Sequence, residues 1–249
     1  TLNFVHSPDT NPGGHITSII TAGEPIDIFL NADLNHHRLI TPFELEFDMS
    51  EIIKKKNFDL STIEPGVLES IKAFSDDDSI YAFPYSMNVL GLIYNIDLFD
   101  KFGQNYPTDG MTWDETYEIA RDMTRNEDGV QYRGFITQFY NLAWMNQLSV
   151  PFVDPETDET LLNTDERWAQ YTNNLNRFFE IPGNELHEGT FGAIRNLFQS
   201  TQVAAMYAYF YPTVEIEGLN WDIVTLPEFS ELPGVGSQPM LQLAYVTSE

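Results

Sequence analysis

The spacing of apolar positions changes along the chain, and those changes set the element order. The most informative stretch is residues 81–103, YAFPYSMNVLGLIYNIDLFDKFG. A loop ending at Pro84 leads to the apolar run Val89-Leu90-Gly91-Leu92-Ile93-Tyr94. That run is too short for a long helix and predicts a strand buried on both faces. Gly91 within it marks either a bulge or the close approach of another backbone. Ile96, Leu98, Phe99 and Phe102 then predict a short helix, with Gly103 as its left-handed cap.

Upstream, residues 2–6 form a β-like run, and Asp9, Asn11, Pro12, Gly13 and Gly14 a loop. Ile16, Ile19 and Ile20 share one helical face that Gly23 and Pro25 end. Ile26 to Leu30 predicts a strand running into the polar cluster Asn31, Asp33 and Asn35. In open α/β sheets, ligands bind outside such strand ends. Residues 41–74 predict helix in pieces, with Lys54-Lys55-Lys56 as a solvated helix end. Asp76-Asp77-Asp78 reads as a surface turn, because the glycine and distal glutamate of a calcium loop do not follow.

Downstream, Thr112 and Glu115 form a capping box, and Trp113, Tyr117, Ala120 and Met123 line one helical face. Asp128-Gly129 turns into a β-run through Tyr132 and Phe135. Residues 138–144 interleave amides with aromatic rings. Asn163 and Glu166 predict a second capping box, ahead of a helix with Trp168, Tyr171, Leu175 and Phe178 on its core face. Ile194, Leu197 and Phe198 predict a helix, Val203 to Tyr207 a strand, Trp221 to Pro227 another buried strand, and Met240 to Val246 the last one.

Composition narrows the classes. The 249 residues suffice for two lobes, and 42% hydrophobic residues suffice for packed cores. With 12 basic against 38 acidic residues, the formal charge of −26 repels phosphate backbones and anionic lipid heads. Nucleic acid and bare membrane surfaces are therefore poor partners. The absence of cysteine excludes disulfides, thiolate catalysis and Cys-ligated zinc. No apolar run reaches the roughly 18 residues of a membrane-spanning helix. Thr1 to Val5 reads as the inside of a strand, not as a secretory leader.

Several of these segments, in this order, resemble the extracellular solute-binding proteins of ABC transporters, in the branch that carries sugars and oligosaccharides. The matching segments are Ala22 to Phe29, the proline strand and Leu-Phe helix of 81–103, the Thr112-Trp113 helix, Val203 to Met206, Trp221 to Pro227, and the return strand 240–246. The chain departs from the family pattern at Leu148-Ser149-Val150 and from Tyr209 to Pro212. The resemblance implies a type II periplasmic-binding-protein-like α/β fold with a ligand cleft between two lobes. One lobe would hold residues 1–88 and 237–249 and the other 89–236, with hinge crossings near 85–92 and 234–240. It implies a partial chain, short of an N-terminal strand and helix and of C-terminal helices. It also implies an ABC permease as partner, no cofactor, no direct membrane insertion, and a location that is periplasmic or extracellular with a lipid anchor.

Sugar capture has its own requirements. A pyranose presents many hydroxyls and one apolar C–H face, so a site needs planar amides or carboxylates and flat aromatic rings. Asn31 with Asp33, Tyr85 with Asn88, and Gln138, Asn141 and Trp144 supply such groups, and Tyr209 with Tyr211 could add stacking faces. Plainer roles compete: Asn31 and Asp33 as helix caps, Trp144 as core. Two other classes stay open, a non-transporting surface sensor with the same fold and a glycoside hydrolase. No nucleophile elbow, zinc-protease helix or phosphate-cradling glycine loop supports an enzyme. Adjacent His36 and His37 cannot face one metal from one helix side, and no metal site is expected.

Overall fold

The computed structural model describes residues 5–6, 12–154, 157–185, 191–210 and 218–247. In chain order the helices are α1 (Pro12–Thr21), α2 (His36–Leu39), α3 (Ser50–Lys56), α4 (Pro65–Lys72), α5 (Ile96–Phe102), α6 (Trp113–Met123), α7 (Phe139–Trp144), α8 (Glu166–Phe179) and α9 (Phe191–Gln199). The strands are β1 (Ile28–Ala32), β2 (Phe83–Asn88), β3 (Leu90–Asn95), β4 (Arg125–Glu127), β5 (Val130–Thr137), β6 (Ala204–Phe210), β7 (Trp221–Thr225) and β8 (Met240–Val246). They fall into two compact units, Thr1–Asn88 with Met240–Glu249, and Val89–Pro239. Of the β-like run expected over 2–6, only Val5 and His6 are described, and neither is in a strand. The loop residues Asp9 and Asn11 lie outside the described residues.

The first unit is built on an antiparallel sheet of order β1-β8-β2. Its central strand therefore comes from the far end of the chain. Leu241, Leu243 and Tyr245 alternate along β8 into a core shared with Leu39, Ile40, Leu45 and Ile71. Strand β1 runs two residues further than its apolar pattern predicts, because Asn31 and Ala32 still pair with Leu243 and Gln242. The loop expected through Pro84 is instead the start of β2. Proline is tolerated there because β2 is an edge strand paired only with β8, and the register shifts between Pro84 and Ser86.

In the second unit the sheet order is β4-β5-β6-β3-β7, with β5 and β6 parallel and the other pairs antiparallel. Strand β3 is buried at every position. At Gly91 the expected choice between bulge and close approach resolves to close approach: an added Cβ would lie 2.7 Å from Ile223 Cδ1 and 3.2 Å from the Val224 carbonyl oxygen. The Asn95 side chain then accepts from Leu98 N at 3.2 Å and starts α5, which Gly103 ends at φ 65°.

The capping box at Thr112 and Glu115 forms as expected. The second does not: α8 is capped by Asp165, whose carboxylate accepts from Arg167 N at 2.9 Å. A carboxylate there complements the helix dipole, and the Arg167 guanidinium holds the same group. Trp168, Tyr171, Leu175 and Phe178 are buried on the face predicted for them. Strand β7 was expected to be buried, but it pairs only with β3 and leaves Asp222 and Thr225 exposed at the sheet edge.

Gly91→Ala should destabilise the second unit by about 1–3 kcal/mol, the range for overpacking a filled site. Urea unfolding monitored by Trp fluorescence measures this, and an unchanged midpoint would contradict the close packing of β7 on β3.

Candidate functional site

In the first unit, the polar groups gather at one end of the three-stranded sheet. Asn31 Oδ1 accepts from Ala32 N at 2.8 Å and from Asn35 Nδ2 at 3.0 Å. Asp33 Oδ2 accepts from Leu241 N at 3.1 Å, which fastens the turn after β1 to β8. Neither residue caps a helix: the cap positions here are Ala32 and Asn35, and neither makes a side-chain cap bond. Tyr85 sits at the register shift with 58% of its surface exposed. Asn88 ends β2 opposite Met240 and is half-buried. Gln242 on β8 pairs with Ala32 on one side and Ser86 on the other. The sequence reading missed this amide, although the alternation of Leu241, Leu243 and Tyr245 assigns Gln242 to the opposite face.

In the second unit, β5 ends at Thr137 and Gln138 takes the cap position of α7. Gln138 is buried; its Nε2 donates to Tyr207 Oη at 3.0 Å, and its Oε1 accepts from Asn141 Nδ2 at 3.0 Å. The Tyr207 ring stacks on Tyr209 at 4.7 Å and 9°. Burial pushes the Tyr207 phenol far above its ordinary value, so it stays a hydroxyl. Helix α7 is fixed from outside by α8, whose Tyr171 Oη donates to Leu142 O at 2.6 Å. On the outer face of α7 the rings are open. Trp144 is 40% exposed and Tyr140 61%, with centroids 5.8 Å apart, and Phe152 packs on Trp144 at 5.0 Å. The alternative of Trp144 as a core residue therefore gives way to a surface ring. Tyr140 belongs beside it, and the four-residue spacing on one helix is the signal that reveals it. Tyr211 lies outside the described residues.

Two amides are thus locked inside the fold beside two rings left in the open. Residues 1–240 match the family model of bacterial extracellular solute-binding proteins. The chain belongs to that family.

Solved structures agree on the fold. An ABC substrate-binding protein from Listeria monocytogenes in complex with cycloalternan is 20% identical, with a TM-score of 0.73 over 97% of this chain and 62% of its own. UgpB from Mycobacterium tuberculosis in complex with glycerophosphocholine is 13% identical, with a TM-score of 0.73 over 97% and 60%. A solute-binding protein from Thermotoga lettingae bound with alpha-D-tagatose is 17% identical, with a TM-score of 0.69 over 96% and 62%. The chain thus spans about three fifths of the length of these proteins. No curated protein matches it in sequence.

Among the described residues of this solute-binding chain, no group of three His, Cys, Asp or Glu side chains could hold a metal. No described helix is long and apolar enough to cross a membrane. His36, next to the Asn31 and Asp33 turn, is a packing residue. It is 1% exposed and stacks on Phe74 at 4.1 Å and 10°. Its Nδ1 has no hydrogen-bond partner among the described residues. Burial, helped by His37 and opposed by Glu46, lowers its pKa from 6.5 to about 4.

A lowered histidine pKa means that the unfolded chain takes up the proton first, so stability is full above pH 6.5 and falls as the pH drops toward 4. At pH 5 the loss is about 2 kcal/mol. The stability difference between wild type and His36→Phe should therefore shift by about 2 kcal/mol between pH 7.5 and 5, to the disadvantage of wild type. Urea titrations at both pH values measure it, and parallel pH dependence would show that His36 is not held neutral.

Proposed function

We propose that the chain is the capturing part of an extracellular or periplasmic receptor. It takes up a carbohydrate, most suitably an oligosaccharide, with residues from both units, and delivers it to an ABC permease without covalent chemistry. The observation that carries this reading is the open pair Tyr140 and Trp144, one helical turn apart, next to the fixed amides Gln138 and Asn141. Exposed rings supply faces for sugar C–H groups, and two rings offer more apolar face than one pyranose covers. Asn88, Tyr85 and Tyr209, with Asn31 and Asp33, complete the set of contacts; Tyr211 is assigned to it on sequence alone. Specificity then comes from polar groups left unpaired when the wrong sugar binds.

Three facts support the reading. The family is one of solute-binding proteins. Two of the relatives named above hold a carbohydrate, cycloalternan in one and tagatose in the other. The charge of −26 disfavours anionic solutes but leaves neutral sugars unaffected. The chain passes between its units at Asn88–Val89 and Pro239–Met240. We assign the hinge of the receptor to the segments around them, 85–92 and 234–240, and the ligand's lobes to the two units. Closure on binding would follow the hinge motion common to such receptors.

A thermal-shift screen over mono- and oligosaccharides, with peptides as controls, should give a rise in melting temperature with an oligosaccharide and no product after incubation. Turnover of the sugar, or a shift with peptides only, would overturn the reading. Trp144→Ala and Asn88→Ala should each weaken the selected sugar about tenfold while leaving the unfolding midpoint of the free protein nearly unchanged.

A further inference from the structure

The turn that follows α7 carries two adjacent buried amides, Asn146 and Gln147, that the carbohydrate set does not use. Asn146 works inward. Its Nδ2 donates to Ala143 O, at the end of α7, and to Val150 O, each at 3.0 Å, and its Oδ1 accepts from Val150 N at 3.0 Å. Gln147 works outward. Its Oε1 accepts from the indole Nε1 of buried Trp113 on α6 at 2.9 Å, and its Nε2 donates to Pro227 O and Val235 O, both at 2.9 Å. One side chain thus ties two points of the segment between β7 and β8 to a core helix.

That segment is bonded at two further points. Gln238 N donates at 3.0 Å to the carbonyl of Met145, the residue that ends α7. Leu90 N, at the start of β3, donates to Ser237 Oγ at 3.1 Å. Leu90 comes just after the chain enters the second unit at Val89, and Ser237 just before it leaves at Pro239. The Leu90–Ser237 bond therefore joins the two crossing segments to each other inside the second unit.

We propose that Gln147 and Ser237 are positioning residues for solute capture. They join α7 and both crossing segments into one block that opens and closes together, so that a solute seated on the rings of α7 acts directly on the hinge. This role rests on the carbohydrate reading, which supplies the rings and the hinge. The physical reason is the cost of breaking such bonds singly. Gln147 uses both of its N–H groups and its oxygen in a buried place, and parting from any one partner leaves a polar group unpaired there. Groups held in this way open as a cooperative unit, and such a unit is what carries an effect from one place to another.

The test is amide hydrogen exchange of the sugar-free protein, read by mass spectrometry on peptides covering 89–92, 139–145 and 234–239. Ser237→Ala should speed exchange at least about threefold in all three, including α7, whose own bonds to the segment the substitution leaves in place. The amides of β5 should keep their rates. Ser237→Thr retains the hydroxyl and should restore wild-type exchange throughout. Gln147→Met, of similar volume but without the three bonds, should act on the same peptides and more strongly. The proposal is overturned if Ser237→Ala affects 89–92 and 234–239 alone, because α7 then moves independently. It is equally overturned if β5 speeds up by the same factor, which is general destabilisation, or if threonine restores nothing. No sugar enters the experiment, so its failure and that of the carbohydrate reading are separate results.

Discussion

The second unit depends on the main-chain pairing of β3. Its six residues are buried on both faces, and both edges are bonded, to β6 on one side and β7 on the other. A strand so enclosed leaves no choice of register, since a slip of one residue would turn every side chain to the opposite face. The register sets Ile93 opposite Tyr207 and Gly91 opposite Tyr209. The first pairing aims the Tyr207 hydroxyl where Gln138 can donate to it. The second places Tyr209 across from the one residue that lacks a side chain. Gly91 lets Ile223 and the Val224 carbonyl close in from β7, while the ring of Tyr209 stacks on Tyr207.

From that pairing follows a division of labour among the polar and aromatic groups. A buried amide must find partners, because an unpaired one costs about 1–3 kcal/mol. Gln138 and Asn141 meet this requirement by bonding to each other, and Gln138 also to Tyr207, and so they orient α7. The rings of Tyr140 and Trp144 carry no such obligation and can stay open. In the first unit, β8 plays the ordering part. Leu241 N holds Asp33, while Gln242 stands between Ala32 and Ser86. In both units one set of groups is satisfied internally, and a neighbouring set is left with surface to offer.

The elements that were legible in the sequence are those whose period and punctuation agree. The apolar run through Tyr94, the Asn95 cap, the Leu-Phe face and Gly103 all specify one strand-to-helix unit, and the fold contains it. Two of the misreadings turn on neighbours distant in the chain, and a third on a neighbour two residues away. Pro84 reads as loop until β8 makes β2 an edge strand. Trp221 to Thr225 reads as core until the sheet ends there. Asn163 and Asp165 both carry capping side chains, and Arg167 favours the second. The candidate site was less legible than the fold. An amide and a ring in one apolar segment look alike in sequence, yet here the amide Gln138 is buried and the ring of Trp144 exposed. Only the packing of α7 under α8 separates them.

The acidic excess ties these parts together. Four of the twelve cations stand in local pairs: Lys101 with Glu127, Arg121 with Glu118, Arg167 with Asp165, Arg177 with Asp114. Exposed pairs of this kind contribute little to stability, about 0–1 kcal/mol each, so their main effect is on the field the protein presents. With 38 acidic against 12 basic residues, the surface offers carboxylate oxygens and little positive potential. A neutral polyhydroxyl solute crosses such a field at no Coulomb cost, and an anion is turned away before contact. The field therefore favours neutral over anionic molecules on charge alone, and α7 carries no charged residue among its rings.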